Sequence, residues 1–294
     1  MADSDVLSIE RGDHVATVWL DRAEARNAMG PAFWTDLPAV MADVSADRAV
    51  RAVVIAARGP HFSVGLDLKA MAGLLTATGG DAGDVGGTAP GSRSGTPGSP
   101  AKPSAAAKAM ASRPQILRMQ RSISSVADCP KPVIAAVHGY CLGGGLDVIA
   151  ACDIRLASAD AVFSLRETRI AIVADLGSLQ RLPRIISKGH VAELAYTGKD
   201  IDARRAAEIG LVNDVLPDAE ATIKAARQLA GEIAANSPVA VEGTKAVLAA
   251  CEDRSVAEGL DYVATWNAGF LQSDDLAEAM VAFTEKRPPN FTGY

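Results

Sequence analysis

Apolar and polar residues alternate over residues 6–10 and again over 15–20, on either side of Arg11-Gly12-Asp13. A period of two broken by a Gly-Asp turn predicts a β-hairpin. A helix is expected after Pro31. Residues 52–57 (AVVIAA) and 132–137 (PVIAAV) are continuously apolar and bounded by Gly or Pro, the pattern of strands covered on both faces. Each leads into a glycine-containing loop and then a helix-like stretch. Residues 153–157 and 211–216 read as further strands, and from about Ala219 the periodicity is helical almost to the end. The predicted architecture is α/β, with a core over 1–215 and a helical C-terminal part over 216–294. One segment departs from the pattern. From about residue 72 to 114 the chain is dominated by Gly, Ala, Ser, Thr and Pro (GGDAGDVGGTAPGSRSGTPGSPAKPSAAAKAMASRP). It buries too little apolar surface to offset the entropy of ordering it, and is expected to be a mobile surface loop or a lid that orders over a ligand.

Composition narrows the function classes. The chain has 294 residues, 49 % of them hydrophobic, enough for a substantial core. A formal net charge of -6 gives no basic footprint, which argues against nucleic acid or an anionic membrane as partner. The N-terminal MADSDVLSIE has neither a signal-peptide nor a transit-peptide pattern, no apolar run approaches the roughly 20 residues of a membrane span, and the C-terminal NFTGY carries no targeting box. The expected setting is cytoplasmic. Cys129, Cys141, Cys152 and Cys251 stand at unrelated spacings and the histidines are scattered singly, so no metal site, disulfide framework or cofactor is expected. The cysteines read as small buried hydrophobes.

Two loops share a physical design. Gly59-Pro60-His61-Phe62-Ser63-Val64-Gly65-Leu66-Asp67-Leu68-Lys69 follows the strand ending near Ala57, with a helix expected from about Leu66. Gly139-Tyr140-Cys141-Leu142-Gly143-Gly144-Gly145-Leu146-Asp147 follows the strand ending at Val137, with a helix opening near Gly145. Glycines let a backbone turn tightly and approach a ligand, and a helix start presents unpaired N–H groups at a positive dipole end. Two such ends can converge on one developing oxyanion.

The segments NAM (27–29), FSVGLDL (62–68), KPVIAAVHGYCLGGGLD (131–147) and ACDIRLAS (151–158), followed by GKDIDARRAAEIGLVNDV and FTEKRPPNF, resemble the crotonase (enoyl-CoA hydratase/isomerase) superfamily. The similarity runs over nearly the whole chain outside the low-complexity stretch. It implies a spiral of ββα units with a helical C-terminal oligomerisation part, a homotrimer or homohexamer, and an acyl-CoA thioester as substrate, with coenzyme A part of that substrate. By position it implies oxyanion amides at Leu66 and Gly144, and CoA contacts at Arg26, Lys69 and Lys286, which are otherwise solvated surface cations.

The carboxylates then select the reaction. Asp147 sits where hydratases of the family usually have Glu, Glu167 matches the second catalytic Glu, and Asp175 stands where hydratases commonly have Gly. This trio, in the settings GGGLD, RET and VADLGSLQRLP, is similar to the Δ3,5-Δ2,4-dienoyl-CoA isomerase branch. The resemblance implies an isomerase of fatty acid β-oxidation, with Glu167 near C2, Asp175 serving C6 or the two exchanged, and Asp147 orienting or tuning them. Each acid also has a plainer explanation: Asp175 as N-cap of a helix starting at Leu176, Glu167 as a surface partner of Arg166 or Arg169, Asp147 as a first-turn acid favoured by the helix dipole. The competing functions are a 2-enoyl-CoA hydratase using Asp147 and Glu167, and a non-catalytic acyl-CoA-binding homologue. A serine or cysteine hydrolase fits poorly, since no Gly-x-Ser-x-Gly elbow is present.

Overall fold

The computed structural model describes residues 4–71 and 104–293. The hairpin forms as its alternation requires, β1 (Leu7–Gly12) running antiparallel to β2 (Val15–Leu20). Helix α1 (Pro31–Ala46) opens on Pro31, whose missing N–H costs nothing at a helix start. Strand β3 (Ala52–Ala57) then pairs parallel with β2, and β4 (Val133–Val137) with β3.

Between those strands lies helix α2 (Ala105–Ala127), which corrects the sequence reading. The compositional loop was expected to reach Pro114. Its alanine-rich end is helical instead, because alanine has the highest helix propensity, and Met119, Ile123 and Val126 further along are buried in the core. Tertiary packing on α1 thus tolerates Pro114 inside the helix. The expectation of a mobile loop over the rest, 72–103, lies outside the described residues.

From β4 onward the chain alternates between two sheets. After β4 comes β5 (Tyr140–Leu142), then α3 (Gly144–Ala150). Strand β6 (Ile154–Ser158) returns to the large sheet, and β7 (Val162–Ser164) pairs with β5. Helices α4 (Ser178–Arg181) and α5 (Lys188–Thr197) follow, then β8 (Ile201–Asp202), α6 (Ala203–Glu208) and β9 (Asp214–Leu216). The strand expected over 211–216 is therefore only its last three residues. The large sheet has the order β1-β2-β3-β4-β6-β9, parallel beyond the first hairpin, and the small one β5-β7-β8.

Burial explains the continuous apolar runs. Val53, Ile55, Val133 and Ala135 face a core shared with α1 and α2, whereas Val54, Ala56, Ile134 and Ala136 face Ala226, Ala230 and Ala234 of α7 (Ala219–Ala234). Both faces of the sheet are dry, so period-two alternation vanishes. Helices α8 (Pro238–Cys251), α9 (Val256–Phe270) and α10 (Asp274–Glu285) follow. Buried Asp275 accepts hydrogen bonds from Ser237 Oγ and from the Thr292 and Gly293 N–H groups, and Arg51 donates to the Phe291 carbonyl, which fastens the C-terminal tail to the body. Cys129, Cys141 and Cys152 are buried, but Cys251 is exposed at the end of α8, contrary to its reading as a core hydrophobe.

Candidate active site

The two glycine loops meet at one end of a cavity of about 500 Å³. Their contact depends on missing side chains. Gly65 has φ +84, and a Cβ there would lie 2.7 Å from the Leu142 carbonyl oxygen and 3.3 Å from the Gly144 nitrogen. Ser63 Oγ stiffens the first loop, donating to the Asn27 carbonyl at 2.8 Å and accepting from the Gly65 N–H at 3.0 Å. Leu66 does not open a helix as expected; it forms a parallel bridge with Met29, and a turn follows through Met71. The bridge bonds run from the Met29 N–H to the Gly65 carbonyl and from the Asp67 N–H to the Met29 carbonyl, which turns the Leu66 N–H to the opposite side. Gly144 is the first residue of α3, so its N–H belongs to the unpaired donors of a helix start. Leu66 and Gly144 both line the cavity.

The three carboxylates line the same cavity. Asp147, 1 % exposed, stands in the first turn of α3 and accepts the Ser178 N–H at 2.6 Å and the Ser178 hydroxyl, both on Oδ1. It is a first-turn acid as one plain reading had it, but it is buried and anchored as well. Glu167 begins a 3-10 turn (Glu167–Ile170). A Cβ on Gly143, which has φ +50, would lie 3.0 Å from Glu167 Oε1, so the absence of a side chain lets the carboxylate reach the loop. Glu167 is not the surface ion-pair partner of its neighbours: Arg166 pairs with Asp200, and Arg169 bonds the Thr197 carbonyl. Its Oε2 is buried with no hydrogen-bond partner among the described residues. Asp175 is half-buried and its carbonyl accepts from Gln120 Nε2 of α2 at 2.7 Å. It is no N-cap, since the helix starts at Ser178 and its N-cap position is Gly177.

Electrostatics follow from this placement. Burial pushes Asp147 up to about 7; the Ser178 bonds oppose the rise, and the charges of Glu167 and Asp175 add to it. Glu167 is raised by burial and then by the Asp175 charge, and Asp175 by burial. Three acids that repel one another in a dry pocket retain protons at pH values where free carboxylates have lost them. The arrangement can therefore donate and accept protons beside two main-chain donors.

Of the expected CoA contacts, Arg26 lines the cavity, while Lys69 and Lys286 are exposed and do not line it within one chain. The remaining wall comes from residues that the sequence did not single out, including Trp34, Met119, Tyr140, Ile172 and Leu176. Ser178 and Gln120 were also missed. Ser178 sits in the same short segment as Asp175, but its partner is 31 positions away in the chain, and no local pattern marks such a contact.

The family model for enoyl-CoA hydratase/isomerase matches residues 10–82 and 105–294. The mitochondrial Δ3,5-Δ2,4-dienoyl-CoA isomerase of Dictyostelium discoideum is 40 % identical over 293 residues, 99 % of this chain and 92 % of that protein. The peroxisomal enzyme of the same name from Arabidopsis thaliana is 39 % identical over 274 residues, 92 % of this chain and 90 % of that one. The crystal structure of an enoyl-CoA hydratase from Bacillus anthracis superposes with a TM-score of 0.83 at 29 % identity, covering 99 % of this chain and all of that one. These relatives overturn the expectation of a cytoplasmic enzyme, being mitochondrial or peroxisomal by name. That expectation rested on the ends of the sequence and the lengths of its apolar runs, and neither reports on compartment. With the family model spanning most of the chain, the fold shared over its full length and the paired glycine loops in position, the chain belongs to the crotonase superfamily, in its enoyl-CoA hydratase/isomerase family.

Proposed function

We propose that the chain isomerises 3,5-dienoyl-CoA to 2,4-dienoyl-CoA by moving a proton from C2 to C6. The observation that carries this reading is a third carboxylate, Asp175, on the same cavity wall as Asp147 and Glu167. A hydratase that holds one water between Asp147 and Glu167 leaves Asp175 without a task, and one oxygen of Asp147 is already committed to Ser178. Dienoyl-CoA isomerases at about 40 % identity over almost the whole chain support the same substrate class.

Removal of the C2 proton generates a dienolate whose charge rests largely on the thioester oxygen. The N–H groups of Leu66 and Gly144 receive that oxygen; removing one such donor costs on the order of 3 kcal/mol in comparable sites. Glu167 takes the C2 proton and Asp175 delivers one to C6, because the two carbons lie too far apart for one short side chain to serve both. The electron pair of the broken C2–H bond becomes the new C2–C3 π bond, the two original π bonds shift along the chain, and the last closes on the incoming proton at C6. Asp147 holds Asp175 and Glu167 in a field that favours proton retention. Arg26 meets the CoA moiety, and Lys69 and Lys286 contribute from outside the cavity.

Asp175→Asn is nearly isosteric but cannot transfer a proton, and is expected to lower dienoyl-CoA turnover by at least about a hundredfold in a folded protein. Near-full turnover removes Asp175 from the mechanism. A paired assay separates the reactions: conjugated-diene absorbance appears from 3,5-dienoyl-CoA, whereas hydration bleaches 2-enoyl-CoA.

The chain further assembles as a homotrimer that pairs into a homohexamer through its C-terminal part, within 216–294. Supporting this, Leu248, Val256, Leu260, Phe270, Met280 and Phe283 of α8, α9 and α10 are exposed, apolar side chains that an interface between copies would cover. Light scattering checks it, and a monomeric mass contradicts it.

A further inference from the structure

Asp147 and Asp175 stand on different elements, and one residue joins them. Ser178 is fully buried, opens α4, and lies three positions after Asp175. Its N–H and hydroxyl both donate to Asp147 Oδ1. The N-cap position, Gly177, has no side chain to offer, and the α3 carboxylate takes the N–H of the first helical residue, one of the donors that a helix start leaves unpaired. On the other side of the same segment, Gln120 holds the Asp175 carbonyl, and Arg181 reaches the Leu176 carbonyl and Ser124 Oγ of α2. The turn carrying Asp175 is thus clamped between α2 and α3, and the α3 side of the clamp is a carboxylate of the site itself.

We propose that Ser178 is a positioning residue for the isomerisation, its hydroxyl keeping Asp147 as a carboxylate beside the Glu167–Asp175 pair while fixing the turn that aims Asp175 into the cavity. The inference deepens the dienoyl-CoA isomerase reading and rests on it. Its physical basis is the imbalance around Asp147. The 3-10 turn presents Glu167 and the loop before α4 presents Asp175, both of which oppose a negative charge, while the Cys141 thiol of β5 is pushed well up by burial and stays neutral. Helix α2 contributes Met119 to the cavity wall and Gln120 to the Asp175 carbonyl, neither of them titratable. Arg181, the cation of α4, is turned toward Leu176 and Ser124. Against burial and repulsion, the Ser178 donors are the groups that favour the charged form. The N–H survives any substitution except proline; the hydroxyl does not.

Ser178→Ala therefore lets Asp147 keep its proton to higher pH. With Asp147 neutral, Glu167 and Asp175 feel less repulsion and release theirs at lower pH, which depletes the acid that serves C6. In the alanine variant the midpoint of the Asp147 carboxyl, read by infrared titration and assigned by the band lost in Asp147→Asn, is expected to rise by about one pH unit. The alkaline limb of the kcat profile moves to lower pH, kcat at pH 8 falls about tenfold, and KM changes less than twofold. Ser178→Cys, with a weaker donor of similar size, falls between, and serves if the alanine variant does not fold. A midpoint that stays put, or a kcat that drops by the same factor at every pH, overturns the role of Ser178. The titration needs no substrate, so its failure speaks against Ser178 alone, whereas absence of dienoyl-CoA turnover by the unaltered chain overturns the reading beneath it.

Discussion

Asp147→Asn exchanges a titrating carboxyl for an amide of the same shape, whose carbonyl oxygen still accepts both bonds from Ser178. The change therefore isolates the cost of an acid buried to 1 % exposure. Its carboxyl titrates near 7 in the fold against an ordinary 3.8. Below pH 3.8 the group is protonated in both the folded and unfolded chain and carries no penalty. As pH rises, the unfolded chain ionises freely while the folded one must retain the proton or bury a charge. Stability present at low pH is thus lost progressively up to about pH 7 and remains lost above it. About three pH units at about 1.4 kcal/mol each give about 4 kcal/mol. The asparagine variant is expected to match the parent near pH 4 and to exceed it by about that amount at pH 8, with reduced turnover. Urea unfolding followed by tryptophan fluorescence at a series of pH values measures this, since Trp19 and Trp34 are buried. Glu167 and Asp175 titrate in both proteins, and the repulsion they lose in the variant adds to the difference in the same direction. Parallel stability curves would refute the argument.

Two further substitutions test how the site is held. Gly65→Ala places a Cβ 2.7 Å from the Leu142 carbonyl at φ +84, so it should cost about 1–3 kcal/mol in thermal unfolding and, by parting the two amides, at least about tenfold in kcat. Gln120→Ala removes the 2.7 Å bond to the Asp175 carbonyl; a loss of about 1 kcal/mol in stability with a several-fold fall in kcat at nearly constant KM is expected in steady-state assays.

Legibility in the sequence follows the range of the interactions. The hairpin, β3 and β4 were readable because alternation and dry apolar runs are local signatures of burial. The small sheet was not, since β5, β7 and β8 are two or three residues long and too short to show a period. The start of helix α2 was hidden in a low-complexity stretch, and contact with α1 together with the burial of Met119, Ile123 and Val126 shows what holds the helix in place. At the site, the two glycine loops and the trio Asp147, Glu167 and Asp175 stood out as residues. The reason the Leu66 N–H points away from Met29 did not, because it comes from a bridge to that residue rather than from a helix start.

The residue types thus set by themselves the alternation of strands and helices, the two tight loops, and the acids available for proton transfer. Tertiary structure alone decided which of these meet: that Gly143 leaves room for Glu167, that Ser178 captures Asp147 from 31 positions along the chain, and that Lys69 and Lys286 stay outside the cavity. The difference is physical. Backbone preference and hydrophobic period act over a few residues, whereas a proton affinity depends on the dielectric and the charges that the completed fold brings around the carboxyl.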